Sequence, residues 1–438
     1  MLKSGNNVIK GALALGVGTF IAKLLGAVYR VPLTNLLGGT GLGLYQMIFP
    51  VYAVLLDFSG AGVPSAMSKL ISASSEEKKH LNGFNYFVAS KKLLFYLGLV
   101  FALLMCICSY PLSLAQGNSK AWLGYVFLSP AVMLVAFISC YRGYFQGLLK
   151  MNPTAFSQII EQVVKVLFGI LFVIILRNNV IWAVAGATFA ITISELVALG
   201  YLKWEYLKHK NALGLNFKRQ KTNRKLWKNI IKIALPVTLV GVLIPLSQII
   251  DSFMVLNIVG GYRKDATMLY GLLTGVVATV IGLPVSICYG IAVVSIPTVS
   301  RSKTIKEKDK NAVKVLWLTI LFSLPCALFC YFYSPFIINL LFRGLSSGEK
   351  TIAVNLLKIT SPCIVFLSFL QTGNAVLVGK GKAFLPLFSL GIGVIIKEIL
   401  NFILLKNQSL NIYGGAIAVI ACYFTVCLIN LILSLVYR

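Results

Sequence analysis

Arg142-Gly143-Tyr144-Phe145-Gln146-Gly147 continues through Lys150-Met151-Asn152-Pro153-Thr154-Ala155, Ser157-Gln158 and Glu161-Gln162 to Lys165. Long apolar runs flank this stretch on both sides. An Arg, a Glu and a Lys therefore sit inside segments that otherwise read as membrane helices. Charge at that depth is expensive and faces a partner, a bundle interior or a wet cavity. Glu161 and Lys165 are four apart with the acid first, the favourable order for an intrahelical pair. Such a pair leaves Arg142 unexplained, so the stretch predicts a helical membrane protein with a polar interior.

The composition agrees. Of 438 residues, 58% are hydrophobic and 12% charged, about half the charged share of a soluble domain. The net charge of +28 does not point to nucleic acid, because the basic residues fall between apolar runs, as the positive-inside rule requires. The nine Cys lie mostly within apolar runs without a Cys-x-x-Cys, and His80 and His209 are in basic loops. No metal site or cofactor is expected. Lys3 and Lys10 before the first apolar run mimic a signal peptide, but the run is too long for one and is read as a spanning helix.

Twelve spans are expected, at about 10–36, 43–70, 93–114, 122–149, 153–176, 180–203, 230–257, 268–299, 313–335, 353–379, 383–405 and 414–437. The fold class is thus an all-α integral membrane protein. Its divisions are an N-terminal six-helix lobe (1–203), a basic cytoplasmic linker (204–229) and a C-terminal six-helix lobe (230–438). With the N-terminus inside, cytoplasmic segments hold roughly 27 Lys and Arg and external ones roughly 7. Both termini are then cytoplasmic in a multi-pass protein of the cell membrane.

The halves read as repeats. Gly147, Lys150, Ser157 and Lys165 recur 232 positions later as Gly379, Lys382, Ser389 and Lys397, and Ser68-Lys69 recurs as Ser300-Arg301. Six helices per half give both halves one orientation, which implies a pseudo-two-fold axis along the membrane normal, as in transporters that rock two lobes around a central site.

The candidate site residues are the charges at membrane depth, each costing roughly 2.5–3.5 kcal/mol at the centre of a span. Lys23 and Arg30 are seven apart and share a helical face. Arg142, Lys165 and Lys397 complete the candidate cavity cations. Asp57, Glu161 and Asp251 are candidate coupling or pairing acids, with Glu195 and Glu398 also in spans. Surplus positive charge suits an anionic cargo, above all a phosphate. Pro236, Pro245, Pro284 and Pro297 interrupt later spans, and Gly11, Gly16, Gly18 and Gly26 thin the first, for bending or for close packing. Gly373 to Lys380 imitates a phosphate loop, but its spacing is wrong, the Ser/Thr after the Lys is missing and it ends a helix. The chain is not expected to be an enzyme.

Arg142–Gly147, Met151–Ala155 and Ser157–Gln162, with Gly26-Ala27-Val28-Tyr29-Arg30 and Gly62-Val63-Pro64-Ser65-Ala66-Met67-Ser68-Lys69, resemble the stage V sporulation protein B and polysaccharide-transporter family. That family lies in the multidrug/oligosaccharidyl-lipid/polysaccharide (MOP) flippase superfamily and is similar to the lipid II flippases of peptidoglycan synthesis. The resemblance covers nearly the whole chain. It implies a V of two six-helix lobes that open alternately, a cationic central cavity and a polyprenyl-diphosphate-linked saccharide as cargo. Lys23 falls where the lipid II flippases place a cation on their first helix. Relatives often carry two further C-terminal helices that form a groove for the lipid tail.

The expected function is flipping of lipid-linked saccharides by alternating access. A drug/cation antiporter of the same superfamily is the alternative, distinguished by unpaired acids at Asp57, Glu161 and Asp251. A third reading is a scaffold for envelope-synthesis or sporulation proteins docking on the basic 203–232 segment, although a cytoplasmic loop near anionic headgroups explains that segment better.

Overall fold

The computed structural model describes residues 2–74, 76–212, 224–300, 305–380, 382 and 384–436. In the first half are α1 (Leu2–Leu56), a π turn (Asp57–Ala61), α2 (Gly62–Ser72), α3 (Glu76–Ile107), α4 (Ser109–Ala115), α5 (Trp122–Gly147), α6 (Asn152–Leu176) and α7 (Val180–Ala212). The second half holds α8 (Arg224–Met254), α9 (Ala266–Gly271), α10 (Ala278–Ser300), α11 (Ile305–Phe332), α12 (Ser334–Leu341), α13 (Ser347–Thr360), α14 (Cys363–Gly379), α15 (Leu385–Leu404) and α16 (Ile412–Val436). Two π turns, Val255–Val259 and Leu272–Val277, extend α8 and join α9 to α10.

Ten of these runs are long and apolar enough to cross a membrane, and the bent pair of α13 and α14 makes eleven. The first run, Gly18–Ser72, holds 55 residues, or about 80 Å of helix against a hydrocarbon core of about 30 Å. It breaks at Gly38, whose φ of 65° and ψ of −179° are non-helical and which only glycine adopts readily. The break divides it into two helices, where the sequence expected two spans. Where the expected spans left 37–42 as a link, the helix resumes at once. The gap between the expected spans 43–70 and 93–114 is helical from Glu76. At 32 residues α3 is longer than the bilayer is thick, and its polar start extends the helix beyond it. For the same reason the described parts of the expected linker are helix ends of α7 and α8; 213–223 and Arg301 lie outside the described residues.

The chain forms two compact units. Unit 1 comprises Met1–Gly26, Met47–Ala115 and Ser119–Leu246; unit 2 comprises Ala27–Gln46, Gln116–Asn118 and Ser247–Arg438. Residues 27–46 of α1 thus belong to unit 2 and 224–246 of α8 to unit 1.

Unit 1 has an apolar core where α2, α3, α5 and α7 meet, with Met67, Ile71, Phe87, Tyr141, Tyr144, Phe145 and Tyr206 buried. Phe87 stacks on Tyr206 with ring centroids 4.7 Å apart, and Trp227 Nε1 donates to Ala89 O at 3.0 Å. In unit 2, Asn35 of α1 donates to Leu341 O and accepts from Gly344 N. Gly39 N, just past the break, donates to Glu349 Oε1 at 3.1 Å. Glu349 also closes the capping box of α13 with Ser346, so one carboxylate serves two helix starts.

The 232-residue register recurs in the backbone. Leu148 N donates to Tyr144 O and Lys150 N to Phe145 O; Lys380 N donates to Val376 O and Lys382 N to Leu377 O. α7 and α16 begin at the matching positions 180 and 412.

Candidate functional site

The Arg142–Lys165 motif divides its labour by helical face. Gly143 and Gly147 let α5 lie against α2, since a Cβ at Gly143 would stand 2.9 Å from Pro64 Cα and one at Gly147 2.7 Å from Ile71 Cβ. Tyr144 and Phe145 fill the core. Arg142 turns the other way, to α6: its Nε donates to Ser157 Oγ and its Nη2 to Glu161 Oε2, both at 3.0 Å. The Arg142 and Glu161 side chains are 16% and 18% exposed. Gln162 Nε2 donates to the other oxygen of Glu161 at 3.1 Å.

On α6, residues 157, 161 and 165 form one stripe and 155, 158 and 162 the next. The first stripe faces α5 and α7. Lys165 is half-buried, and together with Glu161 and Arg142 it acts electrostatically on Glu195 of α7. The second stripe faces α1. Thr19 Oγ1 donates to Gln158 Oε1 at 2.9 Å, a Cβ at Gly18 would lie 2.7 Å from that of Ala155, and one at Gly26 would lie 3.2 Å from Gln162 Oε1. The glycines of α1 thus serve close packing here. Position 23 shares a helical face with Thr19 and Gly26, but the Lys23 side chain lies outside the described ones.

Asp57 opens the π turn after α1. Its Oδ2 would be 3.2 Å from a Cβ at Gly241 of α8, and it makes no ion pair among the described residues.

In unit 2, Arg30 likewise makes no ion pair among the described residues; Tyr45 acts on it electrostatically. Lys397 is enclosed. Its Nζ donates to Asp251 Oδ2 at 2.6 Å and to Ser247 Oγ, with Glu398 Oε1 at 3.2 Å. Its side chain is 8% exposed. Asn401 Nδ2 donates to Asp251 Oδ1 at 2.7 Å, and Ser247 Oγ donates to Glu398 Oε1. Lysine's three donors match three oxygens.

The structure therefore brings Arg142, Glu161 and Lys165 together in unit 1, and Asp251 with Lys397 in unit 2. It pairs Glu161 across helices with Arg142, whereas the spacing had pointed to Lys165. Sequence reasoning gave Ser247 and Asn401 no role; both follow from helical spacing, one turn before Asp251 and one turn after Lys397. It also missed Asn374, where the 232-residue register places the counterpart of Arg142.

A family model described as polysaccharide biosynthesis protein matches residues 8–303 and one described as MatE matches 236–403. The chain is similar to stage V sporulation protein B of Bacillus subtilis (strain 168), 28% identical over 433 residues that cover 96% of this chain and 82% of that protein. It is similar to lipid II flippase MurJ of the same organism, 28% identical over 429 residues, 92% of this chain and 78% of that one. Among solved structures it resembles an inward-facing MATE family transporter of the MOP superfamily, with a TM-score of 0.79, 14% identity and 94% of each chain covered. It also resembles lipid II flippase MurJ in an inward closed conformation, with a TM-score of 0.74, 16% identity, and 96% of this chain and 87% of that one covered. The likenesses to these solved structures carry the fold, an all-helical membrane fold shared with both.

Proposed function

Because the chain belongs to the polysaccharide biosynthesis protein family, we propose that it carries polyprenyl-diphosphate-linked saccharides across the cell membrane, opening alternately to either side. The observation that carries this reading is the pairing of charges. An antiporter of drug cations needs free acids, yet Glu161 is paired with Arg142 and Asp251 with Lys397. Arg30, a cation at membrane depth, has no acid among the described residues. Asp57, an acid without an ion pair at a π turn, is what favours the antiport alternative, because π turns recur at functional sites.

In this proposal Lys23 and Arg30 on α1 hold the diphosphate, each contact contributing about 1.5–3 kcal/mol as a charge-assisted hydrogen bond. Lys165, with Arg142 behind it, sustains positive potential in unit 1. Lys397, boxed in by three oxygens, holds unit 2 together. The cargo crosses unchanged, so no covalent step is needed. The basic segment 204–229 faces the cytoplasm together with both termini.

The test is flipping of a defined polyprenyl-diphosphate-linked saccharide in proteoliposomes. Lys23→Ala and Arg30→Ala each nearly abolish flipping while the protein still inserts, and Lys23→Arg retains more activity than Lys23→Gln. Wild-type flipping by Arg30→Ala would overturn the proposal, and drug-cation efflux lost on Asp57→Asn would establish the antiporter instead.

A further inference from the structure

Glu195 has no part in the reading above. It lies on α7 and is 5% exposed. Its Oε2 is buried with no hydrogen-bond partner among the described residues. The charged groups acting on it from the helices packed against α7 are Arg142 of α5 and Glu161 and Lys165 of α6. The 119–121 turn, the third element against α7, lies by the start of that helix, where Gly124 of α5 meets Val184. From Glu161 the contacts run on through Gln162 to Gly26 of α1, the helix that bears Lys23 and Arg30.

A carboxylate buried without a partner for one oxygen is costly, and a proton on that oxygen removes the cost. We propose that Glu195 is a proton-binding site whose occupancy sets the charge of the unit 1 cluster and, with it, the affinity for the cargo's diphosphate. With Glu195 ionised, the two acids balance Arg142 and Lys165. When a proton from water adds to Oε2, the cluster is left with one net positive charge and no other bond changes. The positive cluster favours an anion, and by linkage a bound anion favours the proton to the same degree. Proton and diphosphate are then taken up together and released together. This rests on the diphosphate reading for its cargo, although the proton site itself does not.

The experiment uses the full chain in nanodiscs, with farnesyl diphosphate as the probe and its Kd measured across a pH series. The probe's own titration acts equally on every variant, so the readout is the difference in slope. Wild type tightens toward acid pH more steeply than Glu195→Gln, the difference reaching about tenfold, and Glu195→Gln follows only the probe's own titration, meeting wild type at the acid end. Equal slopes in the two proteins overturn the coupling. Infrared difference spectra over the same series test the proton directly. Wild type shows a titrating protonated-carboxyl band that is absent in Glu195→Gln and shifted in Glu195→Asp, and its absence from wild type overturns the proton site. A probe that binds neither protein, with the band present, removes the diphosphate reading and the coupling and leaves the proton site standing.

Discussion

In unit 1, Arg142 reaches from α5 to Ser157 on α6. In unit 2, at the same register, Asn374 on α14 is joined to Ser389 on α15 through Asn430 of α16: Ser389 Oγ donates to Asn430 Oδ1 at 2.7 Å, and Asn430 Nδ2 to Asn374 Oδ1 at 2.8 Å. Ser157 Oγ also donates to Thr154 O three residues back, and Ser389 Oγ has the equivalent carbonyl, Pro386 O, at 3.0 Å as an alternative acceptor for its one proton. One scaffold position therefore holds an ion pair in one unit and a chain of amides in the other. Neutral amides suffice to bridge these helices, so the charge of Arg142 and Glu161 calls for a role other than scaffolding. Lys165 and Lys397 also share the register. Lys397 is ion-paired with Asp251 and Glu398, and Glu398 Oε2, like Glu195 Oε2, is buried without a hydrogen-bond partner among the described residues. The units differ in that both acids beside Lys397 are ion-paired, whereas Glu195, in the cluster of Lys165, makes no ion pair among the described residues.

The Lys397 ion pairs are where the largest effect is expected. Lys397→Ala leaves Asp251 and Glu398 buried without their cation, at a cost of about 3–5 kcal/mol, read as loss of stability in detergent. Adding Asp251→Ala costs less than the sum of the single changes, with a coupling of about 0.5–3 kcal/mol. If Lys397→Ala were as stable as wild type and failed only in flipping, the contrast would break and Lys397 would rejoin the cargo cations.

A smaller change is expected from Arg142→Ala, about 1.5–3 kcal/mol for a charged hydrogen-bonded group, because its ion pair is less buried. The sharper variant copies unit 2. Arg142→Asn with Glu161→Gln exchanges the ion pair for amides, and its stability should fall within about 1 kcal/mol of wild type, the scale of a hydrogen bond between membrane helices. Flipping should be lost even so. A double variant that is stable and also flips at the wild-type rate would mean that charge at this position has no function.

Much of this contrast was legible before any coordinates. Apolar run length fixed the spans, and the 232-residue register pointed to two like halves, because both depend on local pattern. Partners were less legible. The i,i+4 spacing singled out Lys165 for Glu161, but the carboxylate meets Arg142 because Gly143 and Gly147 seat α5 where its Arg reaches α6. Asn374 is an uncharged residue in an apolar helix, and only the register, applied to Arg142, would have singled it out. The break at Gly38 falls in the expected link between the spans 10–36 and 43–70, but its brevity was hidden, because a single non-helical residue leaves no gap in hydropathy. Glu195 was visible as a charge at depth, whereas its unpartnered oxygen depends on how three helices meet.

Asn430→Ala tests the amide side of the contrast. It removes the bonds to Ser389 and Asn374 together, and membrane hydrogen bonds average about 0.6 kcal/mol with a maximum near 1.7. A loss of about 1 kcal/mol is expected, with flipping close to wild type. Lost flipping at unchanged stability would place the amide chain in the transport machinery and make the two units functionally alike.

The smallest effect belongs to an Arg–carboxylate pair outside the membrane. Arg263 and Asp265 lie between two spans and are joined twice, Nε to Oδ1 at 2.8 Å and Nη2 to Oδ2 at 2.7 Å. Their geometry is better than that of Arg142 and Glu161, but their side chains are 38% and 34% exposed. The hydrogen bonds from Arg263, and then its charge, hold the Asp265 carboxyl below its usual range against an opposing push from partial burial. A carboxyl held lower in the folded state stabilises the fold above its unfolded pKa of about 3.9 and loses that contribution as pH falls through the folded value. Solvent screening keeps the contribution to about 0.5 kcal/mol. Asp265→Asn should therefore cost about that much at pH 7, less at high salt, and nothing once the pH is well below the folded value. If it cost as much as Glu161→Gln, hydrogen-bond geometry rather than depth in the membrane would set the strength of these pairs, and the contrast between the two units would lose its physical basis.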